Sequence, residues 1–160
     1  MGRKTWDSIP AKFRPLPNRL NVILSRGIVE GSANDENGMT EVHSDLAQAL
    51  LSVSKNPKVG EVFIIGGASV YEQALKQFND HCKLVILTRI NKAFEADTFM
   101  PKITCDEEGG AFTRIHISKT YLHKDITYDF CFIGNKKLLQ AKPELIPTRL
   151  MEKYPKHPEM

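Results

Sequence analysis

The chain has 160 residues, with 41% hydrophobic and 26% charged side chains, which is the composition of one ordinary globular domain. It holds no run of eighteen apolar residues to span a membrane and no apolar leader segment at its start. Its three cysteines (Cys82, Cys105, Cys131) are too few and too scattered for a disulfide framework or a zinc site, which predicts a reducing, cytoplasmic setting and no metal.

The net charge of +3 is unevenly spread. Residues 1–26 hold six basic residues against one acidic, and residues 27–133 hold ten against fifteen. Residues 134–160 hold six against three. The first segment is therefore an anion-attracting patch suited to a small ligand's phosphates or carboxylates. It is short and carries no aromatic interleaving, which argues against nucleic acid.

In chain order, Gly2-Arg3-Lys4-Thr5 opens a short helix reaching Asp7 or Ser8. Two cations at a helix start oppose the macrodipole, so they are either an anion site or solvated surface charges. Next comes a stiff proline-rich loop, with Pro10, Pro15 and Pro17 and an arginine, Arg19. A guanidinium there can grip a carboxylate bidentately, or Arg19 is simply a surface residue. Leu20 to Ser25 reads as a buried strand, and residues 27–41 as a polar surface loop. Ser44 or Asp45 caps a helix that ends at Asn56-Pro57.

Residues 61–65 read as a second buried strand, ending in Gly66-Gly67, with a helix starting near Ser69. Glycines at a strand end let a ligand approach the backbone, and the helix start offers free N–H groups. A tight turn with no ligand gives the same pattern. Residues 83–89 read as a third buried strand. Residues 112–119 and 126–133 alternate and read as an antiparallel pair. Near-continuous apolar strands between helices predict an α/β fold, mostly parallel, with an antiparallel C-terminal edge and helices on both faces. Residues 134–160 hold four prolines and six basic residues and read as a disordered tail, with one short helix over 148–153.

Several long motifs in order resemble dihydrofolate reductase of the eukaryotic, fungal-like type. They are Met1-Gly2-Arg3-Lys4-Thr5-Trp6 with Ser8-Ile9-Pro10, Arg14-Pro15-Leu16-Pro17, Arg19-Leu20-Asn21-Val22 and Ser25-Arg26. They continue with Ile64-Ile65-Gly66-Gly67-Ala68-Ser69-Val70-Tyr71, Leu87-Thr88-Arg89-Ile90, Phe94-Glu95-Ala96-Asp97-Thr98-Phe99-Met100-Pro101 and Asp125-Ile126-Thr127-Tyr128-Asp129-Phe130. The resemblance covers residues 1–133.

It implies reduction of 7,8-dihydrofolate to tetrahydrofolate with NADPH. Gly2, Arg3, Lys4 and Thr5 would lie on the cofactor phosphates. Leu24, Ser25 and Arg26 would hold the 2′-phosphate and adenine. Gly66 and Gly67 would let the cofactor pass, and Ala68, Ser69 and Val70 would carry the pyrophosphate. Ile9, Pro10, Phe13 and Leu16 would wall the aminobenzoyl group, and Arg19 would pair with the glutamate α-carboxylate. Ile65 and Tyr71 would adjoin the reacting rings, and Thr88 would bond a catalytic carboxylate.

The resemblance also implies an earlier strand, a glycine-rich loop and a helix bearing that carboxylate, none of which this sequence contains. Asp7 stands outside that motif. Two sheet strands would be absent with them, leaving strand N–H and C=O groups unpaired at about 1–3 kcal/mol each. Against a domain stability of about 5–15 kcal/mol, the expectation is a truncated domain, inactive and unstable alone, and a monomer if complete. The alternatives are a non-catalytic folate- or nucleotide-binding fragment, or a riboflavin-pathway reductase of the same fold. Arg19 and the Ile9-Pro10 wall favour folate.

Overall fold

The computed structural model describes residues 1–27, 38–146 and 148–156. They form two compact units, Met1–Lys76 and Gln77–Met160.

In the first unit, helix α1 (Arg3–Ser8) starts directly after Gly2, as its sequence predicts. A 3-10 turn (Ala11–Phe13) and the proline loop lead to strand β1 (Asn21–Leu24). Strand β2 (Thr40–His43) lies parallel to it, in register from Asn21 opposite Thr40 to Leu24 opposite His43. Helix α2 (Leu46–Lys55) follows at once. Asp45 caps it by accepting the Gln48 N–H at 2.9 Å, and Leu46, Ala49 and Val53 bury one stripe at helical spacing. Helix α3 (Ala68–Gln77) buries Val70 and Ala74.

Two expectations change here. The polar loop expected over 27–41 falls mostly outside the described residues, and its last two positions belong to β2. Thr40 and Val42 are buried while Glu41 and His43 are half-buried, the alternation of a strand. Residues 61–65 form no strand. Val62, Phe63 and Ile65 stand 53%, 70% and 41% exposed. A strand needs a neighbour about 4.8 Å away for its N–H and C=O groups. Among the described residues nothing pairs with 61–65, so an apolar composition yields an irregular segment. It borders an apolar concavity lined by Val22, Leu24, Ala49 and Leu50.

In the second unit, strands β3 (Leu84–Ile90), β4 (Phe112–Ile117), β5 (Tyr121–His123) and β6 (Ile126–Asn135) form an antiparallel sheet. Its order is β3-β6-β4, with β5 also on β6. The α/β architecture thus has a parallel pair and an antiparallel C-terminal sheet. The third strand, expected to be buried and parallel, joins the antiparallel part and is exposed over Thr88, Arg89 and Ile90. β6 is rich in aromatic and β-branched residues, and Cys131, Phe132 and Ile133 on it are buried. Lys124 and Asp125, both at positive φ, make the two-residue turn between β5 and β6. Across β3 and β6, Arg89 grips Asp129 with bonds of 2.7 and 2.8 Å.

The expected disordered tail is also corrected over its described part. β6 runs on through Gly134 and Asn135 into helix α4 (Lys136–Ala141), capped by the Asn135 side chain. Helix α5 (Thr148–Glu152) follows near the expected place. The chain then returns to the sheet. Lys119 N–H donates to Pro155 O at 2.6 Å, and buried His116 bonds the Tyr154 carbonyl through Nε2. The Tyr154 ring lies 4.5 Å from that of Phe130. Charge and proline content suggested a loose tail, but one aromatic ring and two backbone carbonyls dock it on the sheet.

Replacing Tyr154 with alanine is expected to lower the stability of this unit by about 1–2 kcal/mol, read by urea denaturation. At the start of β4, the Thr113 hydroxyl and Arg114 N–H donate to Oδ1 of Asp106, which precedes the strand, at 2.7 and 3.1 Å. The Thr113 bond first, then that of Arg114, holds the Asp106 carboxyl below its ordinary value of 3.8. A lowered folded-state value stabilises above the unfolded pKa, and the contribution is lost as pH falls through the folded one. Thr113→Val is expected to move the Asp106 titration upward by NMR; an unmoved titration would assign the shift elsewhere.

Candidate cofactor and substrate site

The centre of the candidate site is a close backbone approach in the first unit. Gly2 N–H donates to Gly66 O at 2.7 Å. A Cβ on Gly2 would lie 3.3 Å from Val70 Cγ2, so any side chain there would press on Val70. Leu24 N–H donates to Met1 O at 2.8 Å, and the Met1 ammonium donates to Val22 O at 2.8 Å. Burial holds that ammonium's pKa below its ordinary value. Residues 1–2 therefore tie the end of β1 to the start of α3.

Gly66 has φ +95°, a conformation open to glycine, and the Gly66–Gly67 peptide is cis. The Tyr71 ring lies where a Gly66 Cβ would meet it, at 3.1 Å. Burial raises the Tyr71 pKa, so its hydroxyl stays protonated at neutral pH. A Cβ on Gly67 would sit 3.4 Å from Thr5 Oγ1, which places Thr5 against the glycine pair. Gly67 O accepts from the N–H groups of Val70 and Tyr71 at 2.9 and 3.1 Å. The Ala68 and Ser69 N–H groups have no hydrogen-bond partner among the described residues.

The cations are placed unequally. Lys4 and Arg26 are exposed. Arg3 and Arg14 lie 3.5 and 3.6 Å from the two oxygens of Asp7, and the Arg14 guanidinium sits 5.4 Å over the Trp6 ring. Ser25 is buried, and its N–H donates to His43 O at 3.0 Å. Of that pair only Arg26 presents its side chain to solvent.

The substrate-side residues follow along 9–19. Ile9 N–H closes α1 on Trp6 O, and Phe13 N–H closes the 3-10 turn on Pro10 O. Ile9 and Leu16 are half-buried, while Pro10, Phe13 and Arg19 are exposed. Arg19 Nε donates to Pro17 O at 2.9 Å. Thr88 belongs to the second unit, on β3 opposite Phe130, and is exposed. Its hydroxyl makes no hydrogen bond among the described residues.

The family model for dihydrofolate reductase matches residues 1–137. The chain belongs to the dihydrofolate reductase family. The dihydrofolate reductase of Aedes albopictus is 41% identical over 109 residues, covering 66% of this chain and 56% of its own length. The rat dihydrofolate reductase is 36% identical over 135 residues, covering 81% and 71%. The bifunctional dihydrofolate reductase-thymidylate synthase of Plasmodium chabaudi is 38% identical over 138 residues, covering 86% of this chain but 22% of its own. The chain thus spans about half of the insect reductase and under a quarter of the bifunctional relative. Among the described residues no helix is long and apolar enough to cross a membrane.

Within this family frame, sequence reasoning passed over Asn21. It is 1% exposed, and its side chain ties β1 to the proline loop through Leu16 and Arg19. The available signal was a lone amide inside the apolar run Leu20 to Leu24.

Gly66→Ala forces a Cβ onto the Tyr71 ring at positive φ. It is expected to destabilise the first unit by about 1–3 kcal/mol in urea, whereas Gly60→Ala, with open space around it, stays within about 1 kcal/mol.

Proposed function

We propose that the chain serves NADPH-dependent reduction of 7,8-dihydrofolate to 5,6,7,8-tetrahydrofolate. The observation that carries this reading is the Gly2–Gly66 hydrogen bond, which brings the basic segment and the glycine pair of a family member together. The fit to a phosphate-rich dinucleotide rests on three features: Gly66 at positive φ where a Cβ would meet the Tyr71 ring, two N–H groups at the start of α3 without a partner among the described residues, and exposed Lys4 and Arg26.

In this reading Gly2, Lys4 and Thr5 border the phosphates, and Ala68 and Ser69 donate N–H groups to the pyrophosphate. Arg3 exchanges its contact with Asp7 for phosphate. Arg26, next to Leu24 and buried Ser25, pairs with the 2′-phosphate and selects NADPH over NADH. Ile9, Pro10, Phe13 and Leu16 wall the substrate, and Arg19 holds its carboxylate. Ile65 offers its carbonyl beside the rings, and protonated Tyr71 fixes that corner by packing on Gly66. NADPH, when bound, supplies the hydride.

The alternative is a binding role without turnover: Asp7, the one carboxylate of residues 1–26, lies 3.5 and 3.6 Å from Arg3 and Arg14. Trp6, the single tryptophan, reports ligand binding by fluorescence apart from turnover. NADPH is expected to bind about tenfold or more tightly than NADH, and Arg26→Ala to bring the two within about threefold. Equal affinities in the unaltered chain would sink the cofactor assignment. Loss of NADPH absorbance on adding dihydrofolate distinguishes an enzyme from a binding module.

A further inference from the structure

Asn21 is the most fully bonded polar side chain near the proposed site. Its Oδ1 accepts the Leu16 N–H at 3.0 Å. Its Nδ2 lies 3.0 Å from Leu16 O, 3.1 Å from Arg19 O and 3.2 Å from Met39 O. The Asn21 N–H itself donates to Met39 O at 2.8 Å. One buried amide thus pins both ends of the stretch 16–19 to the start of β1.

That stretch has little freedom left. Pro17 fixes φ within it, and Pro15 fixes φ just before it. Asn18 takes φ +59°, which asparagine tolerates better than most residues. Arg19 spends its Nε on Pro17 O. The two terminal nitrogens of Arg19 make no bond among the described residues and project from a fixed stem. They are the pair that meets a carboxylate end-on.

We infer that Asn21 is a positioning residue for carboxylate recognition: it holds the backbone from which Arg19 reaches the ligand, without touching the ligand itself. The inference rests on the folate reading of the site. A guanidinium on an untethered loop would lose conformational freedom on binding, and here that ordering is completed during folding. Asn21 therefore sets how strongly the protein prefers a ligand bearing the glutamate carboxylate.

The test compares folate with pteroate, the same molecule without its glutamate, by Trp6 fluorescence on the full chain. The unaltered protein is expected to bind folate about tenfold more tightly. Asn21→Ser, which is too short to span Leu16 and Arg19, is expected to bring that ratio within about threefold of unity. Partial unfolding weakens both ligands by the same factor, so it cancels in the ratio. Amide hydrogen exchange in the unaltered chain gives a second reading free of any variant. Leu16 N–H is expected to exchange far more slowly than Asn18 N–H. A retained folate preference in Asn21→Ser, or a freely exchanging Leu16 amide, overturns the role of Asn21. Equal binding of folate and pteroate by the unaltered chain overturns the folate reading itself.

Discussion

The contact between Gly2 N–H and Gly66 O governs the first unit because it joins three pieces distant in sequence. At 2.7 Å it holds residues 1–2 against the loop before α3. The same two residues bond the end of β1 through Met1 O and the Met1 ammonium. A side chain on Gly2 would crowd that space, since its Cβ would lie 3.3 Å from Val70 Cγ2. A single bond of this kind contributes only about 1 kcal/mol net. Its importance is geometric: it decides that the basic N-terminal turn and the glycine pair share one surface. Thr5 against Gly67 belongs to the same approach.

The second unit rests on a different principle. β6 pairs with β3, β4 and β5, so one long strand organises the sheet. Its aromatic residues also receive the end of the described chain, through Tyr154 on Phe130 and Phe132. Cross-strand aromatic packing does here what backbone proximity does in the first unit.

Much of this was legible in local chemistry. Asp45 announced the start of α2, and the alternation of β4 and β6 announced an antiparallel pair. Gly66-Gly67 before Ala68 marked the turn into α3. What escaped depended on neighbours. β2 carries one buried aliphatic residue, Val42, so no hydrophobic run betrayed it. β5 is joined to β6 by Lys124 and Asp125 without the glycine that usually signals such a turn. Residues 61–65 have every intrinsic mark of a strand, yet a strand is defined by a partner, and the described residues supply none. In the site, the cations and glycines could be named from the sequence. That Asp7 holds Arg3, and that Asn21 fixes the Arg19 loop, are consequences of folding that spacing does not encode.

The exposed segment Val62-Phe63-Ile64-Ile65 has a consequence for handling the protein. It is uncharged, free of proline, and rich in residues of high β-propensity. Its backbone groups have no ladder to saturate them among the described residues. Such a stretch is a template for pairing between molecules, and only Glu61 beside it acts as a gatekeeper. Self-association will therefore rise with concentration more than the net charge suggests, and a charged residue in place of Phe63 would blunt that tendency at its source.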